Sequence, residues 1–246
     1  MLNSLVKFYK HQQFFVNFVS IFINPNYFSR KGLLKYVKFE APLLKGRLLD
    51  FGCGRKPYRS LFDVEEYVGV DIEVSGHEQS DISADVFYDG HHLPFDNQSF
   101  DCIFASEVFE HLFNLDEILD ELNRVLKDDG RMLVTIPFAG NEHEIPYDFG
   151  RYTSYGIRKI MEKHGFTIMR LHKSTTYFET VSQSFISYII DNIFPKNKAL
   201  RTLLMIIFTG PLALLVIILN FILPNDKTWF LNMIFVAEKT DKRLKI

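Results

Sequence analysis

The stretch Leu48-Leu-Asp-Phe-Gly-Cys-Gly54 constrains this chain more than any other. A short apolar run ends in two closely spaced glycines. At Gly52 and Gly54 no side chain keeps a ligand from the backbone where a buried strand ends. Seventeen residues beyond Gly54, the run Tyr67-Val-Gly-Val-Asp71 closes on an acid placed to accept hydrogen bonds from both hydroxyls of a ribose. Strand, glycine turn and strand-end acid, in that order, predict a nucleoside ligand at the carboxyl edge of a parallel sheet. Two departures from the dinucleotide pattern narrow the choice. Pro57 stands where the third glycine would approach a pyrophosphate, and Asp50, two residues before Gly52, would repel one. A carboxylate there suits a cation, such as the ammonium of a methionine moiety beside a sulfonium, so charge selects S-adenosylmethionine over NAD.

The surrounding chain has the right periodicity. Arg47–Phe51, Tyr67–Asp71, Asp101–Ala105 and Arg131–Ile136 are short apolar runs bounded by Gly, Asp or Pro, as expected of strands buried on both faces. Asn114 is placed to cap a helix whose stripe is Leu115, Ile118, Leu119, Leu122, Val125 and Leu126, with Asp128-Asp-Gly130 as its stop. A second helix follows Thr153 and stops at Gly165. Such alternation predicts parallel crossovers and a sheet covered on both sides. The 28 basic against 30 acidic residues give no excess that would favour a nucleic-acid partner. Cys53 and Cys102 lack a C-x-x-C spacing, which excludes a disulfide scaffold and implies a reducing, cytoplasmic setting.

Asp50-Phe-Gly-Cys-Gly54, Tyr67–Asp71, Asp89-Gly-His-His-Leu-Pro-Phe95, Ser106-Glu-Val-Phe-Glu-His111 and Arg124–Val134 resemble the successive motifs of class I S-adenosylmethionine-dependent methyltransferases of the small-molecule type. The resemblance covers roughly residues 45–173. It implies a doubly wound α/β fold, a seven-stranded sheet in the order 3-2-1-4-5-7-6 with the last strand antiparallel. It also implies that Gly52 and Gly54 hold the methionine end of the cofactor, Asp71 the ribose and Asp89, followed by Gly90, the adenine amine. Ser106 and Glu107 would line the methyl-transfer end.

Methyl transfer from a sulfonium needs alignment first, and a base only when the acceptor arrives protonated. Glu107, Glu110, His111, His143, Glu144, Tyr147, Asp148 and Tyr152 gather in the segments expected over the cofactor, and His143 or His111 is the expected general base. Residues 142–153, aromatic and of mixed charge, are expected to contact the acceptor. His91-His92 lacks metal-ligand companions and reads as a solvated turn, and no metal site is expected. Cys53 reads as a small apolar filler.

The mean hydropathy of zero is high for a soluble enzyme and comes from two places. Phe14–Ile23 is too short to span a bilayer and reads as a helix that packs or lies on a surface. Thr202–Leu223 runs without a charge and has the length of a transmembrane helix. Asn232–Glu238 nevertheless reads as the last strand, and a single crossing would strand it across the bilayer. Gly210-Pro211 is expected to break the segment into two halves, and Lys196, Lys198, Arg201, Lys227, Lys239, Lys242 and Arg243 flank it. The reading is a helical insertion over 181–227 forming a monotopic or re-entrant hairpin, with Val181–Phe194 as an adjoining amphipathic stretch, residues 1–44 as an N-terminal helical segment and 45–180 plus 228–240 as the cofactor-binding domain. The alternatives are a helical subdomain buried against protein, in the core or a dimer interface, and a true span. The expected activity is methyl transfer to a lipophilic or lipid-linked acceptor at the inner membrane face. The rival readings are a membrane-bound binding module that keeps the cofactor fold without catalysis, and an NAD-dependent oxidoreductase.

Overall fold

The protein is described by a computed structural model over residues 2–72 and 82–240. The chain divides into two compact units, one built from residues up to 35 with 173–232, the other from 36–172 with those from 233 onward.

The second unit holds the sheet. Its strands are β1 (Arg47–Phe51), β2 (Glu66–Ile72), β3 (Val86–Tyr88), β4 (Phe100–Ser106), β5 (Leu126–Pro137), β6 (Phe166–Lys173) and β7 (Asn232–Lys239). They lie in the order β3-β2-β1-β4-β5-β7-β6, as the resemblance implied. The pairs β1–β2, β1–β4, β2–β3 and β4–β5 are parallel. Thr240 donates to Gly165 at one end and Ser174 to Asn232 at the other, so β7 runs antiparallel to β6. Leu48, Leu49, Val70, Ile103, Leu133 and Val134 are wholly buried, which explains why these strands read as continuous apolar runs.

The first helix of the chain is α1 (Leu2–Gln12), followed by α2 (Ser20–Ile23) and α3 (Tyr27–Glu40). Phe14–Ile23 is therefore not one helix. Asn17 accepts a hydrogen bond from the Val19 amide, and its own amide donates to Ser20 Oγ, so the two polar interrupters form a local turn that competes with helical bonding. In the sheet unit, α4 (Leu115–Val125) buries Leu115, Ile118, Leu119, Leu122 and Val125. Asn114 stands at its N-cap position without a side-chain cap, and its Nδ2 donates instead to the Gly90 carbonyl and to Glu117 Oε2. Asp128–Gly130 does not stop this helix. It lies within β5, where the register against β4 shifts and Asp129 takes a φ of 58°. The helix α5 (Ser154–Lys163) begins at Thr153, whose hydroxyl accepts from the Gly156 amide, and ends beside Gly165 at φ 78°.

The apolar insertion belongs to the first unit. Its first helix, α6 (Tyr177–Tyr188), starts at a capping box in which Thr176 and Glu179 exchange hydrogen bonds, and a π-helical turn, Ile189–Ile193, extends it. After a short turn at 194–197 come α7 (Lys198–Leu204), a second π-helical turn (Met205–Thr209) and α8 (Gly210–Leu219), which together make one helix, Lys198–Leu219. The break expected at Gly210-Pro211 does not occur. The Gly210 amide bonds to the Met205 carbonyl five residues back, and this widened turn accommodates a proline, which has no N–H to donate and whose ring would crowd a regular preceding turn. Gly210 serves a different purpose, since a Cβ there would stand 2.4 Å from the Phe22 ring of α2. The insertion is thus a hairpin, but it turns at 194–197. Thr176 Oγ1 donates to Asn220 Oδ1 at its base, and Arg201 pairs with Asp191 near its tip.

Candidate functional site

The glycine turn after β1 is fastened to the neighbouring strand. The Gly52 and Cys53 amides both donate to the Val70 carbonyl, and the Gly54 amide donates to Asp71 Oδ2 at 2.8 Å. The two glycines have different tasks. A Cβ at Gly52, φ 66°, would lie 2.5 Å from Val108, whereas a Cβ at Gly54, φ 48°, would meet nothing within 4 Å. Gly52 lets the chain pack, and Gly54 keeps open a space at the carboxyl end of β1. Asp71 borders that space, its other oxygen accepting from the Ile72 amide.

Asp50, in the strand that leads into this turn, is 3% exposed. Burial lifts its carboxyl to about 7, against a hydrogen bond from Tyr67 Oη at 2.6 Å and the charge of Lys56, which pull the other way. The spacing of sequence motifs did not disclose Tyr67 or Lys56 as partners. The parallel register, Leu48 with Tyr67 and Asp50 with Gly69, puts Tyr67 and Asp50 on the same face of the sheet, which the alternation of side chains could have revealed. Lys56 crosses over Gly69 to reach Asp85 at 2.5 Å. Burial pushes the Cys53 thiol up, consistent with a filler and not a nucleophile.

Asp89 is exposed, and its Oδ1 accepts from the His91 and His92 amides, holding the turn at Gly90. The two histidine rings face the carboxylates of Glu117 and Glu121 on α4, at 3.1 and 2.9 Å, an ordinary solvated arrangement. At the end of β4 the backbone takes a positive φ of 55° at Glu107. Thr135 of β5, absent from the sequence reading, ties this point together. Its hydroxyl donates to Glu107 Oε1 at 2.8 Å, lies 3.0 Å from Ser106 Oγ, and accepts from the Glu107 amide.

Next to Glu107, a 3-10 turn (Phe109–His111) carries two of the candidate groups. Glu110 is wholly buried, and burial, helped by the charge of Glu107, raises its carboxyl well above the usual range. The loop 142–150 folds back on this turn, with the Phe149 and Gly150 amides donating to the Glu110 carbonyl. It brings His143 Nε2 to 4.0 Å and His111 Nε2 to 3.7 Å from Glu110 Oε1, with the two rings edge to face at 4.9 Å. Arg151 grips Asp148 with both guanidinium nitrogens, and although burial opposes it, this contact holds the Asp148 carboxyl below its usual range. Glu144 stands 3.7 Å from His111, and Tyr152 is partly buried in the same segment. Phe113, Ile145, Tyr147 and Phe149 are exposed around this end. The structure therefore gathers Asp50, Gly52, Gly54 and Asp71 at one point of the sheet edge, and Glu107, Glu110, His111, His143, Glu144 and Asp148 at another.

A sheet of this order, with a glycine turn after its first strand, is that of the class I methyltransferases. Residues 49–134 match the family model of a methyltransferase domain. The match and the strand order bear out the resemblance to S-adenosylmethionine-dependent methyltransferases. No curated protein matches the chain in sequence. Among solved structures, the [4+2]-cyclase SpnF is similar at a TM-score of 0.55 and 18% identity, over 86% of this chain and 82% of that one. A chain from the complex between the Haloferax volcanii Trm112 methyltransferase activator and a methyltransferase is similar at 0.55 and 17%, over 86% and 91%. The Haemonchus contortus phosphoethanolamine N-methyltransferase 2, solved with phosphomonomethylethanolamine and S-adenosylhomocysteine, is similar at 0.51 and 18%, over 84% of this chain and 52% of that one. At these identities the likeness is one of fold.

Proposed function

We propose that this protein is an S-adenosylmethionine-dependent methyltransferase that works at a membrane surface on an amphiphilic acceptor. Asp50 carries the reading. A buried carboxylate lifted to about 7 is costly unless a cation neutralises it, and Asp50 stands near the end of the strand that leads into the turn where Gly54 leaves open space. The residues fit the cofactor. Asp50 would take its ammonium end, the turn of Gly52 and Gly54 its methionine chain, and Asp71 its ribose hydroxyls. Asp89 and Gly90 would face the adenine amine, and Ser106 and Glu107 the methyl-bearing end. When bound, S-adenosylmethionine supplies an electrophilic methyl group on a sulfonium. The chain's own task is to hold the acceptor atom in line with it and exclude water. Loop 142–153 and the exposed Phe113, Ile145, Tyr147 and Phe149 supply an apolar rim for the acceptor, and His111 and His143 are the groups on hand where a proton must leave it.

Membrane contact is supported by the face of Lys198–Leu219. This is the one helix among the described residues long and apolar enough to cross a bilayer, and 28% of its most apolar window is buried. Leu203, Ile206, Ile207, Phe208, Leu215 and Ile218 are exposed on it. Asp191, Lys196, Lys198 and Arg201 at the hairpin tip oppose burial of that tip in hydrocarbon, so the hairpin lies lengthwise in the interface with its basic residues at the headgroups. Its occupant is a lipid surface on the cytoplasmic side of the membrane.

A second reading, a cofactor-fold protein that does not transfer methyl groups, draws on the cyclase that shares the fold. Titration calorimetry with S-adenosylhomocysteine, together with transfer of labelled methyl from S-adenosylmethionine into lipid extracts, tests both. Micromolar binding lost in Asp71→Ala, with label in the lipid phase, is expected. Absence of binding refutes the cofactor reading, and binding without label favours the second one. Co-sedimentation of the full chain with anionic vesicles, reduced in Phe208→Asp, is expected, and failure to sediment refutes the membrane surface.

A further inference from the structure

The cluster at Glu110 has a property that a proton acceptor does not need. Neither carboxylate oxygen of Glu110 has a hydrogen-bond partner among the described residues, nor does Nε2 of His111, although all three atoms are buried. In most buried carboxylates the oxygens are satisfied. The histidines are oriented from behind. His111 Nδ1 lies 2.8 Å from the Tyr147 carbonyl, so it carries the proton and leaves a lone pair on Nε2. His143 Nδ1 lies 3.5 Å from Arg151 Nη2 in a hydrogen bond and 3.3 Å from Asp148 Oδ2, so the Arg151–Asp148 pair fixes the ring from behind and its Nε2 faces Glu110. Two imidazoles, His111 held by a carbonyl and His143 by the Arg151–Asp148 pair on the far nitrogen, therefore turn their near nitrogens toward one buried carboxylate. The carbonyl behind His111 is the brace that metal-binding histidines have.

We propose that Glu110, His111 and His143 form a binding site for a divalent transition-metal cation such as Zn2+ or Co2+. The three donor atoms lie within 4.8 Å of one another. The edges of 3.7 Å and 4.0 Å are a few tenths of an ångström longer than the ~3.4 Å edge of a tetrahedral shell with bonds of about 2.1 Å. A small inward turn of the His143 ring, which is half-exposed on a loop, closes them. Glu144, 3.7 Å from His111 Nε2, is placed to be a fourth ligand. Two nitrogens and one carboxylate suit Zn2+, Fe2+ and Co2+ better than the oxygen-seeking Mg2+ or Ca2+. Linear spacing does not reveal the site, because His111 and His143 are 32 residues apart, outside any metal-motif spacing. The proposal does not depend on the identity of the nucleoside ligand. With a cation bound, the histidines serve as ligands, and the exposed side of His143 leaves room for a water or an acceptor oxygen on the metal.

The test uses the full chain stripped with a chelator, dialysed against Zn2+ alone and, separately, titrated with Co2+ while the visible ligand-field absorption is followed. One equivalent per chain is expected, with a raised unfolding temperature. Glu110→Gln and His143→Ala should each weaken binding at least tenfold, and His91→Ala with His92→Ala should leave it unchanged. Because His143 is on a loop and half-exposed, His143→Ala keeps its fold, which circular dichroism checks. Failure of the wild type to take up stoichiometric Zn2+ or Co2+ overturns the proposal, as does uptake by His143→Ala equal to wild type. S-adenosylhomocysteine titration of the same samples reports on the cofactor seat separately, so the two readings fail independently.

Discussion

Replacing Asp50 with asparagine should make this protein more stable at neutral pH and worse at binding its cofactor. The side chain is 3% exposed, and Tyr67 Oη keeps an acceptor in the isosteric amide, so the substitution removes charge and little else. Burial holds the carboxyl near 7 in the folded protein, against an ordinary 3.8. The folded state thus grips the proton more tightly than the unfolded chain does. The stability that goes with the neutral carboxyl is fully present below about pH 4 and is lost as the pH climbs through 7. A shift of about 3 units corresponds to about 4 kcal/mol once Asp50 is ionised. Urea unfolding of the two proteins should give equal stabilities near pH 3. Asp50→Asn should lead by about 2 kcal/mol at pH 5 and about 4 kcal/mol at pH 8. Binding should run the opposite way. If the ammonium of the ligand needs the ionised carboxylate, wild-type affinity for S-adenosylhomocysteine rises roughly tenfold per pH unit below 7 and then levels, while Asp50→Asn binds weakly at every pH. A stability difference that does not change with pH, or a wild type that is the more stable at pH 8, would refute this account of Asp50.

The two glycines of the turn should separate folding from binding. Gly52→Ala forces a Cβ to 2.5 Å from Val108 at φ 66° and should cost about 3 kcal/mol in chemical denaturation. Gly54→Ala meets no atom within 4 Å and should cost only about 1 kcal/mol for its left-handed backbone, yet it should lower S-adenosylhomocysteine affinity more than tenfold in calorimetry. Similar stability losses for the two would contradict the division of labour. In the helical unit, Thr176→Val removes the capping box of α6 and the hydrogen bond to Asn220, and should destabilise by about 1–2 kcal/mol in urea unfolding. An unchanged midpoint would show that the hairpin base is held by other contacts.

Much of the sheet unit was legible in the sequence because buried parallel strands must be apolar on both faces and their turns must be Gly or Asp. Arg47–Phe51, Tyr67–Asp71 and Asp101–Ala105 lie within the strands observed, and the order of strands is the one implied by the resemblance those motifs carry. The misreadings have local causes. Asp128-Asp-Gly130 carries stop residues, but it interrupts a strand, since Gly and Asp accommodate a register shift as readily as a helix end. Gly210-Pro211 carries breaker residues, but a π-helical turn absorbs the proline, and the glycine answers to Phe22, nearly two hundred residues earlier in the chain. Tyr67 on Asp50 and Thr135 on Glu107 are contacts between neighbouring strands, which linear spacing records only through a register not yet known.

The sequence by itself determined the kind of sheet and put the turn of Gly52 and Gly54 and the acid Asp71 at strand ends, because each depends on residues adjacent along one strand. Only the tertiary structure decided what becomes of Glu110, His111 and His143. A carboxylate in a turn after β4 and a histidine on a loop after β5 come within 4.0 Å of each other only because that loop folds back on the turn. Burial and mutual distance, the two quantities that turn such side chains into a site, are properties of the folded chain alone.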